Sequence, residues 1–209
     1  MSSYQGIEQE LEYLFTRARV FGEGIQGISH PRIVALLPYL TDLLPEARFI
    51  WLIREPRDFI SSAHVRGWFK DDELDQRGKA PFVGAGKKWA YYRPHADLMG
   101  EMSYAEWRDM PPFERICWYW ATWNHRIEKG LTTYVNDRWM MVRLEELQDE
   151  LPSILSFIGA SEKKLPLKVS NPGDRNSSNE LWSRPEEEAF QRWCAPLRDR
   201  LYTRKAHEP

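Results

Sequence analysis

The chain has 209 residues, enough for one compact domain with a real core, and a formal net charge of −2 that argues against a general nucleic-acid binder. No run of about 18 apolar residues occurs, so nothing in it reads as a membrane span, and no leader peptide is apparent. The expectation is a single domain over 1–209, cytoplasmic, with ten tryptophans, many of which must be buried or line a pocket. The two cysteines, Cys117 and Cys194, have no metal-ligand spacing and sit in apolar helical patterns, so buried thiols are expected.

In chain order, Ile7, Leu11, Leu14, Phe15 and Ala18 recur at helical spacing, and Gly22, Gly24 and Gly27 then break the pattern. Ile33, Leu36, Leu37 and Leu40 predict a second helix, with Pro31 at a favoured first-turn position. Phe49 to Ile53 is short and continuously apolar, the signature of a strand buried on both faces of a parallel sheet. Glu55-Pro56 ends that strand and starts a helix, with Asp58 favourably placed near its positive end. From Gly67 to Pro112 regular periodicity is lost among charge clusters, glycines and aromatics. The segment 67–112 is read either as a lid or acceptor-binding region or as a surface insertion.

Phe113 to Lys129 predicts a strong helix, with Gly130 suited to its C-terminal cap. Trp118, Trp120 and Trp123 on it read as core, and Asn124 as a hydrogen-bonding group reaching a neighbouring loop. Trp139 to Leu144 reads as a second buried strand of the same sheet, and Pro152 to Ile158 as a short helix stopped by Gly159. Ser183-Arg184-Pro185-Glu186 is a capping box opening a last helix, in which Pro196 is expected to introduce a kink. The order of elements points to the α/β class.

The stretch with most chemistry in it is Arg48 to Phe69. Ligands of open α/β sheets bind at the carboxyl ends of the strands. Arg54 stands at such an end, and its guanidinium can fork onto two phosphate oxygens while a hydroxyl from the next helix adds a third bond. The alternative is that Arg54 pairs with Glu55 or Asp58 and that Ser62 faces solvent.

Arg54-Glu55-Pro56-Arg57-Asp58, with Ser62 eight residues after Arg54, resembles the 3′-phosphate-binding motif of sulfotransferases that use 3′-phosphoadenosine 5′-phosphosulfate (PAPS). Pro45 to Ile50, Met141 to Leu147, Ile154 to Gly159 and Trp182 with the final helix are similar to further segments of that family, in the same order. The resemblance implies a P-loop-NTPase-like parallel sheet flanked by helices, PAPS as co-substrate without a metal, and sulfuryl transfer to a hydroxyl or amine of a small-molecule or glycan acceptor. It assigns Arg54 and Ser62 to the 3′-phosphate, and Arg175, Asn176 and Ser177, in a polar turn-rich stretch before Trp182, to a loop over the same group. His30 is similar in position to the family's general base, a role that a histidine near neutral pKa can fill. Glu23 is the carboxylate alternative, since other branches of the family use one.

Two departures accompany the resemblance. The family's phosphosulfate loop, a Gly-rich strand-to-helix turn carrying a cation, has no counterpart in the chain, which therefore reads as N-terminally truncated: a fragment, a mis-started frame or a natural remnant. Leu144 stands where cytosolic members often have a tyrosine beside adenine. A non-catalytic nucleotide-binding or interaction domain of the same descent is the alternative function, and a kinase ranks last because no Walker loop occurs. A truncated sheet would also expose apolar surface and could self-associate into a homo-oligomer.

Overall fold

The computed structural model of the chain describes residues 19–21, 25–29, 33–70, 93–160 and 182–203. In it, β1 (Arg19–Phe21) pairs antiparallel with β2 (Ile25–Gly27) as a short hairpin. Gly27, expected only to break a helix, thus ends β2, and Gly22 and Gly24 lie outside the described residues. The helix expected over residues 7–18 lies outside the described residues.

Helix α1 (Ile33–Leu43) buries Leu36, Leu37 and Leu40, the apolar positions that predicted it. Strand β3 (Phe49–Ile53) and strand β4 (Trp139–Arg143) pair in parallel, with Phe49 opposite Trp139 and Ile53 opposite Arg143. Both strands fall where the apolar runs put them, and in one sheet. β4 stops one residue early because Leu144–Glu146 tightens into a 3₁₀ turn. The protein is mixed α/β and mostly helical, and among the described residues this parallel sheet has two strands, so each is an edge and neither lies inside a larger sheet.

Burial on both faces does not hold for β3. Trp51 and Ile53 point into the main core at 3% and 1% exposure, whereas Ile50 and Leu52 on the other face are 41% and 49% exposed. The reason lies in what covers that second face. Helix α5 (Leu151–Ile158) packs Ile154 and Phe157 with Met140 and Val142 of β4, and this cluster does not reach β3. Gly159 ends α5 with φ of +74°, the left-handed cap that its lack of a Cβ allows.

Helix α2 (Pro56–Val65) leaves the carboxyl end of β3, with Pro56 in its first turn and the Glu55 side chain accepting from the Arg57 N–H at 2.5 Å. Downstream of the residues that lie outside the description, α3 (Tyr104–Asp109) is opened by a Ser103–Glu106 capping box, and Trp107 on it is fully buried. This helix was not legible in the sequence, since six residues are too few to display a period. Buried Arg115 fixes the region by donating to the carbonyls of Phe69, Trp107 and Arg108.

The long helix α4 (Pro112–Tyr134) runs beyond its expected cap. Gly130 is not a C-cap but a buried contact point, because a Cβ there would lie 2.8 Å from Leu37 Cδ1 on α1. Helices α6 (Arg184–Trp193) and α7 (Ala195–Thr203) are the expected last helix broken at Cys194. Pro196 lacks the N–H that would continue the ladder, so the chain starts a new helix there. Phe190, Cys194, Leu197 and Leu201 carry both helices into the main core.

Candidate functional site at the carboxyl end of the parallel sheet

Arg54 follows directly on β3, and its backbone is held on two sides. The Trp120 indole N–H of α4 donates to the Arg54 carbonyl at 3.1 Å. The next amide, that of Glu55, donates to Glu145 Oε1 at 2.8 Å, which ties the end of β3 to the 3₁₀ turn after β4. The two strand ends are therefore stitched together at the place where an open α/β sheet presents its ligand face.

Glu55, Arg57 and Glu145, near Arg54 in the chain or across the sheet, are already engaged with others. Glu55 Oε1 accepts from Arg198 Nε of α7 at 2.7 Å, and Glu55 Oε2 from the Arg57 amide. The Arg57 guanidinium donates to Glu187 at 2.7 Å and lies over the rings of Trp182 and Phe190, 4.6 and 4.5 Å from their centroids. Tyr202 donates from its hydroxyl to Glu145 at 3.4 Å; burial and then the Glu145 and Glu55 carboxylates push its phenol up, so it stays a protonated donor. Among the described residues, the Arg54 guanidinium forms no hydrogen bond and no ion pair with Glu55 or Asp58. A half-buried guanidinium left without an anion beside a set of completed ion pairs is disposed to take one from solution.

Ser62 lies on the second turn of α2, half-buried, next to Ser61, which is buried. The Ser62 carbonyl accepts from the Arg66 amide at 3.4 Å, at the end of the helix. Arg54 and Ser62 thus flank the entry of α2, one just before the helix and one within it. His30, Glu23, Arg175, Asn176 and Ser177 lie outside the described residues. Asn124 reaches a strand rather than a loop: its Oδ1 accepts from the Trp51 indole at 3.1 Å, and its amide donates to the Trp120 carbonyl at 2.8 Å.

Sequence reasoning missed the frame of Glu145, Arg198 and Tyr202 built on Glu55, the residue after Arg54. Its signal was the four-residue spacing of Arg198 and Tyr202, which puts both on one face of α7. Among the described residues no group of three or more metal-ligating side chains converges, and no helix is long and apolar enough to cross a membrane. No family model matches the chain, and no curated protein or solved structure matches it.

Proposed function

We propose that the chain binds the 3′-phosphate of PAPS through Arg54 and Ser62 on a P-loop-like sheet, and that its chemistry is sulfuryl transfer to a hydroxyl or amine acceptor. The observation that carries the reading is the unengaged Arg54 guanidinium at the carboxyl end of a parallel strand, framed by residues whose own charges are satisfied. In such a reaction the acceptor oxygen or nitrogen forms a bond to sulfur while the bond from sulfur to the 5′-phosphate oxygen breaks. The leaving group is adenosine 3′,5′-bisphosphate, and the acceptor proton passes to a base, the role His30 takes by resemblance. Catalysis of this loose, in-line type rests on positioning and charge stabilisation. Arg54 contributes the positioning part, since it grips the end of the nucleotide that does not react.

The second reading is a nucleotide-binding domain without turnover. It is motivated by the 209 residues given, in which no Gly-rich turn with Lys or Arg followed by Ser, Gly and Thr occurs to meet the 5′-phosphosulfate. Calorimetry with adenosine 3′,5′-bisphosphate tests the part common to both. Arg54→Ala weakens binding by about 1.5–3 kcal/mol, the range for a hydrogen bond to a charged group, and Ser62→Ala by less because its hydroxyl is neutral. Equal affinity of Arg54→Ala and the parent chain would remove the site. Transfer of labelled sulfate from PAPS to an acceptor, measured on the same preparation, then separates enzyme from binding domain.

A further inference from the structure

Strand β3 leaves one of its two edges unused. The Phe49 N–H donates to the Arg138 carbonyl, on the side of β4, at 2.9 Å. Along a strand paired in parallel, alternate residues turn their N–H and C=O to the same neighbour. Phe49, Trp51 and Ile53 therefore face β4, and the main-chain groups of Ile50 and Leu52 point outward. Among the described residues nothing hydrogen-bonds to these outward groups. Ile50 and Leu52 also carry the exposed apolar side chains of the sheet, beside the part of that face that α5 covers over Met140 and Val142. The β4 edge is different: Trp139 and Met141 are half-buried, and Arg143 donates to Glu146 and to the carbonyls of Leu201 and Tyr202.

We propose that a second copy of the chain occupies the β3 edge, its own β3 running antiparallel to the first about a two-fold axis at Trp51. The strand matches itself in this register. The outward groups lie one residue either side of Trp51, so the axis sets Ile50 opposite Leu52 of the second copy and Leu52 opposite its Ile50. Each opposed pair exchanges both N–H···O bonds, which satisfies the outward groups of both strands. The axis stands perpendicular to the sheet, so the isoleucines and leucines of the two copies meet on one face of a four-stranded sheet with β4 outermost on each side. Such a contact is isologous and closes at two copies. Phe49 to Ile53 contains no charge, proline or glycine, the devices by which exposed edges avoid pairing. A different partner would need an unpaired apolar strand of its own, whereas every copy of this chain brings one. The register also sets Arg54 opposite Arg48 of the second copy. The Arg48 guanidinium is drawn toward α5, where it donates to the Phe157 carbonyl and lies 5.6 Å from that ring's centroid. The remaining like-charge repulsion is screened by salt.

Sedimentation velocity over a range of concentrations should show a monomer–dimer equilibrium that shifts toward dimer as salt is raised. Ile50→Lys/Leu52→Lys, which puts charge on two exposed positions of the edge, should stay monomeric, with thermal unfolding as the check that its fold is kept. Cross-linking then reads the register. Opposed residues lie about 5.5 Å apart between Cα atoms, within disulfide reach, while diagonal ones are about 7–8 Å apart. A mixture of an Ile50→Cys chain and a Leu52→Cys chain should form a mixed disulfide under oxidised glutathione about tenfold faster than either variant alone forms its own. The natural cysteines are buried and do not compete. A parent chain that is monomeric at every concentration refutes the proposal. Protected Ile50 and Leu52 amides in that monomer would assign the edge to another segment of this chain, and freely exchanging ones would leave it open to a different protein. A dimer that survives the lysines or weakens with salt, or a mixed disulfide no faster than the others, also refutes it. The cross-linking uses single exposed substitutions, so it decides the matter should the lysine variant fail to fold.

Discussion

At the scale of single residues, the sulfur chemistry of the chain follows from burial alone. Cys117 and Cys194 are fully buried, and the Cys194 thiol donates to the Cys117 carbonyl at 3.3 Å. Burial first, and then the neighbouring Cys117, drives the Cys194 thiol upward, away from the thiolate that reacts. The native chain should therefore consume no maleimide at neutral pH over a time in which the denatured chain consumes two equivalents, one for each cysteine. Mass spectrometry of the labelled chain checks this, and rapid labelling of either cysteine in the native state would contradict the burial. Their helical setting made these two thiols legible from sequence. Arg54 was legible too, because a charged residue at the end of an apolar run stands out. The partners of its neighbours were not: Glu55 meets Arg198 across 143 positions of chain, and no local pattern encodes that pairing.

At the scale of elements, strands and helices were found where apolar periodicity is strong, and their ends were misplaced where tertiary contact decides. Gly130 is the clearest case. Sequence rules give a glycine near the end of a helical run to the cap, but here the approach of α1 requires the missing side chain and α4 continues past it. Gly130→Ala should accordingly destabilise the protein, although alanine is the better helix former by about 1 kcal/mol. The added methyl meets Leu37 Cδ1 at 2.8 Å, and Leu37, only 1% exposed, has little room to turn away. Overpacking of this kind costs about 1–3 kcal/mol, so the net change should be a loss. Leu37→Val in the same chain removes part of the clash, and the double variant should be more stable than the sum of the single changes predicts. Denaturant melts of the four proteins measure that coupling. Additive behaviour would mean that α1 shifts away from α4 instead. The two-sided burial expected for β3 failed for a related reason: an apolar run reports that its side chains avoid water, not which element covers them.

At the scale of the whole molecule, one core joins segments that are far apart in sequence. Leu37 of α1, Trp51 and Ile53 of β3, Ile116 and Trp120 of α4 and Leu201 of α7 belong to the same buried cluster. The last two helices supply Phe190, Cys194, Leu197 and Leu201 to it, and their arginines close ion pairs onto Glu55 and Glu128. Burying one large apolar side chain is worth about 1.5–3 kcal/mol. Phe190, Leu197 and Leu201 together then contribute on the order of 5–9 kcal/mol, comparable to the whole stability of a typical domain, about 5–15 kcal/mol. Removal of residues 184–209 should leave a chain without fixed tertiary packing rather than a smaller folded domain. Loss of the near-ultraviolet circular dichroism of the tryptophans and of the cooperative thermal transition would report it. Leu201→Ala, which deletes one contributor and leaves the helix intact, should cost about 2–5 kcal/mol and keep the transition cooperative. A truncated chain that still melts cooperatively would show that α6 and α7 dock on an independently stable unit. The frame around Arg54 would then depend on that docking through Glu55–Arg198, Tyr202–Glu145 and Arg57–Glu187, and anion binding could be lost without loss of the fold.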